Sequence, residues 1–212
     1  MGTGSGELID SKFDVVIRTN DSVALDEEYE TDYGSKTTIA YWNNFFIRRH
    51  ITKGGDMKKL LDLLVRKNIR FIIVKGDKTA KALNMLARQR PDCKTVFLRT
   101  AYAFKDRPEF WLKSTDAEGY MELYEPTLIS FILSDVFLYP PQVVYVTGVN
   151  FYSSSKHWAD FYNQDVNQRQ QTISRNKLHH VLGDKAYLRY LCRIYSSQLK
   201  LDPVLANIMA QS

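Results

Sequence analysis

Cysteine is scarce in this chain. Among 212 residues only Cys93 and Cys192 occur, and no Cys-x-x-Cys pair is present. Two cysteines exclude a disulfide-stapled scaffold and a thiolate metal knuckle, and neither demand nor forbid one disulfide. Long apolar runs are missing as well, so no segment reads as a membrane-spanning helix. The opening Met1-Gly2-Thr3-Gly4-Ser5-Gly6 is small and polar, with none of the apolar core of a signal peptide. An anchor or signal upstream of this sequence stays open. No Asp-x-Asp pair occurs, and no clear His or carboxylate cluster has metal-ligand spacing. Charge of a single sign is also lacking. The 29 Lys and Arg are scattered among 24 acids for a net +5, not gathered into the basic stripe that marks a nucleic-acid binder. That modest excess suits a small anionic ligand, and equally a solvated surface.

A length of 212 residues supports one α/β domain with a sizeable core and falls short of two full ones. The 13 tyrosines fit either sugar or base stacking, or a tyrosine-rich core. The Val-Val-Ile run predicts a strand over Phe13 to Arg18, and a second is expected over Lys36 to Trp42. Leu60, Leu61, Leu64 and Val65 fall on one face of a helix over Met57 to Lys67. Ile69 to Val74 reads as a strand. Asp77 is expected to cap a helix over Lys78 to Arg88, before Pro91. A short strand covers Lys94 to Leu98, and Arg99 to Gly119 reads as a charged, aromatic loop region. Pro126 is expected in the first turn of a helix reaching about Leu138. A strand is expected over Val143 to Val146, and a polar loop or lid over Ser153 to Gln171. The last helix runs from Gly183 to Leu199, and Pro203 ends the regular pattern. Strands alternating with helices predict an α/β fold: a mostly parallel, Rossmann-like sheet flanked by helices.

Function is most legible where the first strand ends. Asp14-Val15-Val16-Ile17-Arg18-Thr19-Asn20 delivers a guanidinium and a carboxamide to the carboxyl edge of a sheet, where α/β proteins bind nucleotides. A polar loop, Tyr29 to Lys36, then turns through Gly34 into Thr37-Thr38 and the second strand. Asn20 can donate to and accept from a phosphate or ribose, or simply build an Asx-turn with Asp21 and Ser22. Farther on, Val143 to Val146 runs into Gly148, where a glycine lets backbone approach a ligand, and on to Tyr152.

The stretch from Asp14 to Thr38 closely resembles the large sialylmotif of the eukaryotic sialyltransferases, glycosyltransferase family 29. Gly4-Ser5-Gly6-Glu7-Leu8 is similar to the glycine-rich turn that opens that motif, although the strand before it is missing. Either the chain is truncated at its N-terminus or another segment fills that slot. Val143 to Tyr152 resembles a segment of the bacterial sialyltransferases of family 42. His157-Trp158-Ala159-Asp160 resembles the third sialylmotif, and His179 with Asp184 resembles the very small one, His-x4-Glu, with Asp for Glu.

The resemblance implies a single sialyltransferase-like domain over 1–212, a variant of the GT-A architecture, and Golgi luminal residence. It implies transfer of sialic acid from CMP-sialic acid to a glycan hydroxyl with inversion, with no cofactor and no metal. The donor and a glycan acceptor are then its partners, and nucleic acid is not. A monophosphate donor agrees with the absent Asp-x-Asp. Carried over by residue, His179 is the general base, and Tyr152 and His157 support the leaving phosphate. Asn20, Asn43 and Thr127 hold the donor, with Arg18 and Gly148 lining its site. His180 competes with His179 for the role of base. Asp184 either offsets the helix dipole near His179 or caps the helix beginning near Gly183. Two departures stand out. Asn43 follows the bacterial pattern rather than the eukaryotic one. Leu128 follows Thr127 where the small sialylmotif has a glycine, which would crowd the sugar. The missing glycine after Thr127 and the missing first strand keep open a binding module of the same fold without turnover, and a transferase using another nucleotide sugar on the same scaffold is the other reading.

Overall fold

The computed structural model describes residues 10–20, 34–43, 46–47, 57–74, 77–99, 126–139, 141–149, 151 and 181–211. The chain divides into two compact units, Met1–Ala101 and Tyr102–Ser212. Among the described residues no helix is long and apolar enough to cross a membrane.

The first unit is a parallel α/β layer. Its strands are β1 (Ile17–Thr19), β2 (Ile39–Trp42), β3 (Phe71–Val74) and β4 (Val96–Arg99), with α1 (Met57–Arg66) and α2 (Asp77–Arg88) as crossovers. The strands lie in the order β1-β2-β3-β4, every pair parallel, with Ile17, Ile39, Phe71 and Val96 in one row. A sheet that grows in one direction through right-handed crossovers sends successive helices to the same face. That face carries Ala40, Trp42, Ile72, Val74 and Phe97, which form one core with Leu60, Leu61 and Leu64 of α1 and Ala80, Leu83 and Ala87 of α2. The helical residues recur at i, i+3, i+4 and i+7, so each helix turns an apolar stripe to the sheet. Trp42 is wedged between Phe46 and Phe97 at ring-centroid distances of 4.9 and 5.9 Å. On the opposite face Phe71, Val96 and Leu98 stay exposed. Asn84 of α2 satisfies the edge strand: its Nδ2 donates to Phe97 O at 2.6 Å, and its Oδ1 accepts from Phe97 N at 2.9 Å.

The second unit contains α3 (Leu128–Val136), β5 (Val144–Val146), α4 (Val181–Ile194), β6 (Leu199–Leu201) and α5 (Pro203–Ala210). Strands β5 and β6 pair in parallel, Val144 to Leu199 and Val146 to Leu201. Phe131, Leu133, Val146, Tyr187, Leu188, Leu191, Leu199 and Leu205 share its core.

The mixed α/β class and the parallel sheet agree with expectation. The strand expected over Phe13 to Arg18 is confined to Ile17–Thr19, and Asp77 is the first residue of α2 rather than a residue before it. The other main differences lie at the C-terminus. The last helix starts at Val181, two residues early, and stops at Ile194, because Leu199 is already in β6. Pro203 does not end the pattern. It opens α5, where a missing N–H costs nothing and the ring's fixed φ already suits the first turn. Pro126 moves the other way. Thr127 is the N-cap of α3, so the proline lies just outside the helix. Residues 100–125 and 152–180 lie outside the described residues, and with them the expected loop after Arg99 and the expected loop or lid over Ser153 to Gln171.

Candidate functional site

In the first unit, strand register builds the site. Thr19 is level with Tyr41, so Asn20 and Asn43 both leave the sheet at its carboxyl edge on adjacent strands. Asn20 has φ +43, a left-handed conformation that asparagine tolerates better than most residues. Its Oδ1 accepts a hydrogen bond from Asn43 N at 3.0 Å. Asn43 Oδ1 in turn accepts from Phe46 N at 2.7 Å, while Asn43 O accepts from Ile47 N at 3.1 Å, so Asn43 caps the helical turn that follows β2. Both carboxamide oxygens are thus turned inward. Neither Nδ2 group has a partner among the described residues, and both asparagines are partly exposed. The edge presents two amide donors, which match acceptor oxygens such as those of a phosphate or ribose.

Arg18 has a different setting. Its Nη2 donates to Asp10 Oδ2 at 2.8 Å and its Nε to Lys36 O at 3.0 Å. Lys36 N also donates to Asp10 Oδ2, at 3.1 Å. Both ion-pair side chains are only 11% exposed. The network folds around Gly34, whose φ of +78 suits a residue without Cβ. A Cβ built there would fall 1.9 Å from Asp10 Oδ2 and 2.9 Å from Arg18 Nη2. Gly34→Ala is therefore expected to cost about 1–3 kcal/mol, because it adds left-handed strain and displaces the Asp10–Arg18 pair. A urea melt that shows no loss would rule this account out.

In the second unit the N-terminus of α3 is already supplied with an anion. Thr127 N donates to Asp184 Oδ1 at 3.0 Å and Oδ2 at 3.2 Å, and Ser130 Oγ donates to Asp184 Oδ1. Asp184 is 1% exposed and sits in the first turn of α4. A carboxylate there answers an orphan amide and faces the positive end of the helix dipole. Of the two roles expected of Asp184, the one toward His179 falls on a residue outside the described ones, and the capping seen is of α3, whose Thr127 lies 57 positions away. A turn farther on, Ser134 Oγ donates to Ser130 O at 2.7 Å. Its single proton is then committed, so in the 2.7 Å contact with Tyr187 the phenol is the donor. Burial pushes the pKa of that phenol up to about 12, and this keeps Tyr187 protonated as the bond requires.

Thr127 itself is 8% exposed, and its Oγ1 has no hydrogen-bond partner among the described residues. An unsatisfied buried hydroxyl costs about 1–3 kcal/mol unless something else fills the role. Gly148 follows β5 with φ +73, and among the described residues no atom beyond its chain neighbours lies within 4 Å of where its Cβ would be. Its N–H donates to Asp202 Oδ2 at 3.0 Å. Tyr152, His157, Asp160, His179 and His180 lie outside the described residues.

The structure therefore brings Asn20 and Asn43 together, ties Arg18 into an internal network, and places Thr127 against Asp184. Sequence reasoning missed the tasks of Asp10, Asp184 and Asp202. Each is an aspartate whose partner is remote in sequence, and the only local signals were generic capping positions.

No curated protein sequence matches the chain. Among solved structures it is similar to a point variant of the sialyltransferase CST-II in complex with CMP. Identity is 17%, with 92% of this chain and 75% of that chain covered and a TM-score of 0.54. It is also similar to CST-II in complex with a trisaccharide acceptor and CMP, at 17% identity, 92% and 74% coverage and a TM-score of 0.51. A third is the sialyltransferase CstII from Campylobacter jejuni in complex with the substrate analogue CMP-3FNeuAc, at 16% identity, 92% and 74% coverage and a TM-score of 0.53. These likenesses establish a shared GT-A-like fold. The sequence profile of glycosyltransferase family 29 (sialyltransferase) matches residues 1–194, a range that takes in both asparagine-bearing strand ends, Thr127 and Asp184, and the chain belongs to that family.

Proposed function

We propose that this protein transfers sialic acid from CMP-sialic acid to a glycan hydroxyl, with inversion and without a divalent metal. One observation carries the reading most directly. Two carboxamides, Asn20 and Asn43, meet at the carboxyl edge of a parallel sheet with their oxygens held inward and their donors available. Membership of family 29 and the CMP held by solved relatives of the same fold support it.

In this reading the Asn20 and Asn43 amides hold the nucleotide, and Thr127 Oγ1 donates to the sugar end of the donor. The acceptor oxygen attacks the anomeric carbon from the face opposite the phosphate. The bond between that carbon and the phosphate oxygen breaks, CMP departs, and His179 takes the acceptor's proton. Tyr152 and His157 donate to the departing phosphate. Arg18 acts through Asp10 and Gly34 to shape the loop beside β1.

The test is calorimetric titration with CMP and CMP-sialic acid, paired with a product assay. Binding of neither ligand would sink the proposal. Thr127→Val sharpens it. Removing a buried hydroxyl that lacks a partner is expected to leave stability unchanged or slightly higher. Donor affinity is expected to fall about tenfold, the worth of one lost hydrogen bond of about 1.4 kcal/mol. Equal donor affinity in the two proteins would remove Thr127 from the site.

A second reading is a nucleotide-binding module of the same fold without turnover. It is favoured by Asp184, whose carboxylate already occupies the α3 N-terminus, and by Leu128 where the family's motif has a glycine. CMP binding with neither donor hydrolysis nor transfer would select it.

A further inference from the structure

We propose that Asp202 is a positioning residue for the donor site, acting through the Gly148 turn. This rests on the sialyl-transfer reading, in which Gly148 lies beside the donor. The residue lies beyond the family match, which ends at residue 194.

Asp202 joins three elements with one side chain and its own backbone. Its Oδ1 accepts from Leu205 N at 2.7 Å, which N-caps α5. Its Oδ2 accepts from Gly148 N at 3.0 Å. Its backbone N–H donates to Val146 O at 2.9 Å, extending the β5–β6 pairing by one bond. Asp202 is buried, and α5 is anchored by Leu205 in the core and by Arg189, whose guanidinium reaches Met209 O at 3.4 Å. Gly148 has φ +73, and among the described residues no atom beyond its chain neighbours comes within 4 Å of where its Cβ would be. The second carboxylate oxygen is the hydrogen bond that fixes its amide. A simple N-cap needs one oxygen. Asp202 uses both, and the additional one fixes the segment running from β5 toward the region that carries Tyr152. Backbone misplaced by an ångström near a reacting group costs rate or affinity out of proportion to the bond lost.

Asp202→Ser separates the two tasks. Serine caps a helix well but has one short oxygen, so the α5 cap survives and the Gly148 bond is lost. The control is Ala206→Gly, which loosens the exposed face of α5 without touching Gly148. In Asp202→Ser we expect hydrogen exchange of the Gly148 amide to quicken by about tenfold or more, and the donor KM to rise about 10- to 100-fold. The acceptor KM should stay unchanged. Ala206→Gly should lower the melting temperature with the donor KM unchanged.

The inference is overturned if Gly148 exchange is unaltered in Asp202→Ser. It is equally overturned if exchange quickens while the donor KM holds, or if Ala206→Gly raises the donor KM to the same extent. Wild-type protein that neither binds CMP nor transfers removes the functional reading and this inference together. Working wild-type protein with any of the three variant results removes this inference alone.

Discussion

Alanine at position 179 is expected to lower sialyl transfer by about 10²- to 10⁴-fold while leaving CMP affinity unchanged. A sugar hydroxyl is far too weak an acid to attack unaided near neutral pH, so a base must accept its proton as the new bond forms. A neutral imidazole is the side chain whose unperturbed titration lies closest to that requirement. His179 stands five residues before Asp184, in the spacing of the very small sialylmotif. The loss should fall on the transfer step and not on nucleotide binding, because in the proposed reaction the base takes the acceptor's proton and does not hold CMP. His180→Ala is the comparison, and its rate should stay near wild type. If the two variants exchange these results, the base is His180. If neither lowers transfer, histidine base catalysis is wrong for this protein.

The second large effect is expected at Asp184. Its side chain receives Thr127 N and Ser130 Oγ in a fully buried setting. Asp184→Ala leaves both donors unpaired and removes the anion from the α3 N-terminus. Hydrogen bonds to a charged acceptor contribute about 1.5–3 kcal/mol each, so a loss of about 3–6 kcal/mol is expected in urea denaturation. Asp184→Asn keeps one acceptor oxygen in nearly the same shape and should lose about half as much. Donor affinity should fall in the same order, since Thr127 is presented by the bond that is lost. An Asp184→Ala protein as stable as wild type would mean that the carboxylate is not an integral part of the helix junction. The comparison also bears on the spacing of the motif. A carboxylate five residues after the histidine seats the helix that follows it against the helix that begins at Thr127.

What sequence could reveal here followed the range of the forces involved. Apolar spacing placed α1, because Leu60, Leu61 and Leu64 recur with the period of a helix regardless of what they meet. Strands β2, β3 and β4 fell where Val, Ile and aromatic residues cluster, whereas β1 begins only after Val15-Val16, and alternation with helices implied parallel pairing. The turn at Gly34 was visible as a glycine in a polar loop. By contrast, β6 and α5 were hidden. Leu199-Lys200-Leu201 is too short to signal a strand without its partner β5, and Pro203 reads as a stop until Asp202 is seen capping a helix across it. Asn20 and Asn43 could be named as candidates from residue type and motif. Their contact could not, since it depends on the register that sets Thr19 beside Tyr41.

The amino-acid sequence alone determined the α/β class, the family and the residue types at the candidate site, because these rest on local periodicity and on motif spacing along the chain. Tertiary structure alone decided how three aspartates are used. Asp10 is bound to Arg18 and the Gly34 turn, Asp184 to the start of a helix 57 residues away, and Asp202 to Gly148, 54 residues away. A carboxylate's role is set by whichever donors the fold brings within about 3 Å, and hydrogen bonds of that length leave no trace in sequence when their partners are far apart along the chain.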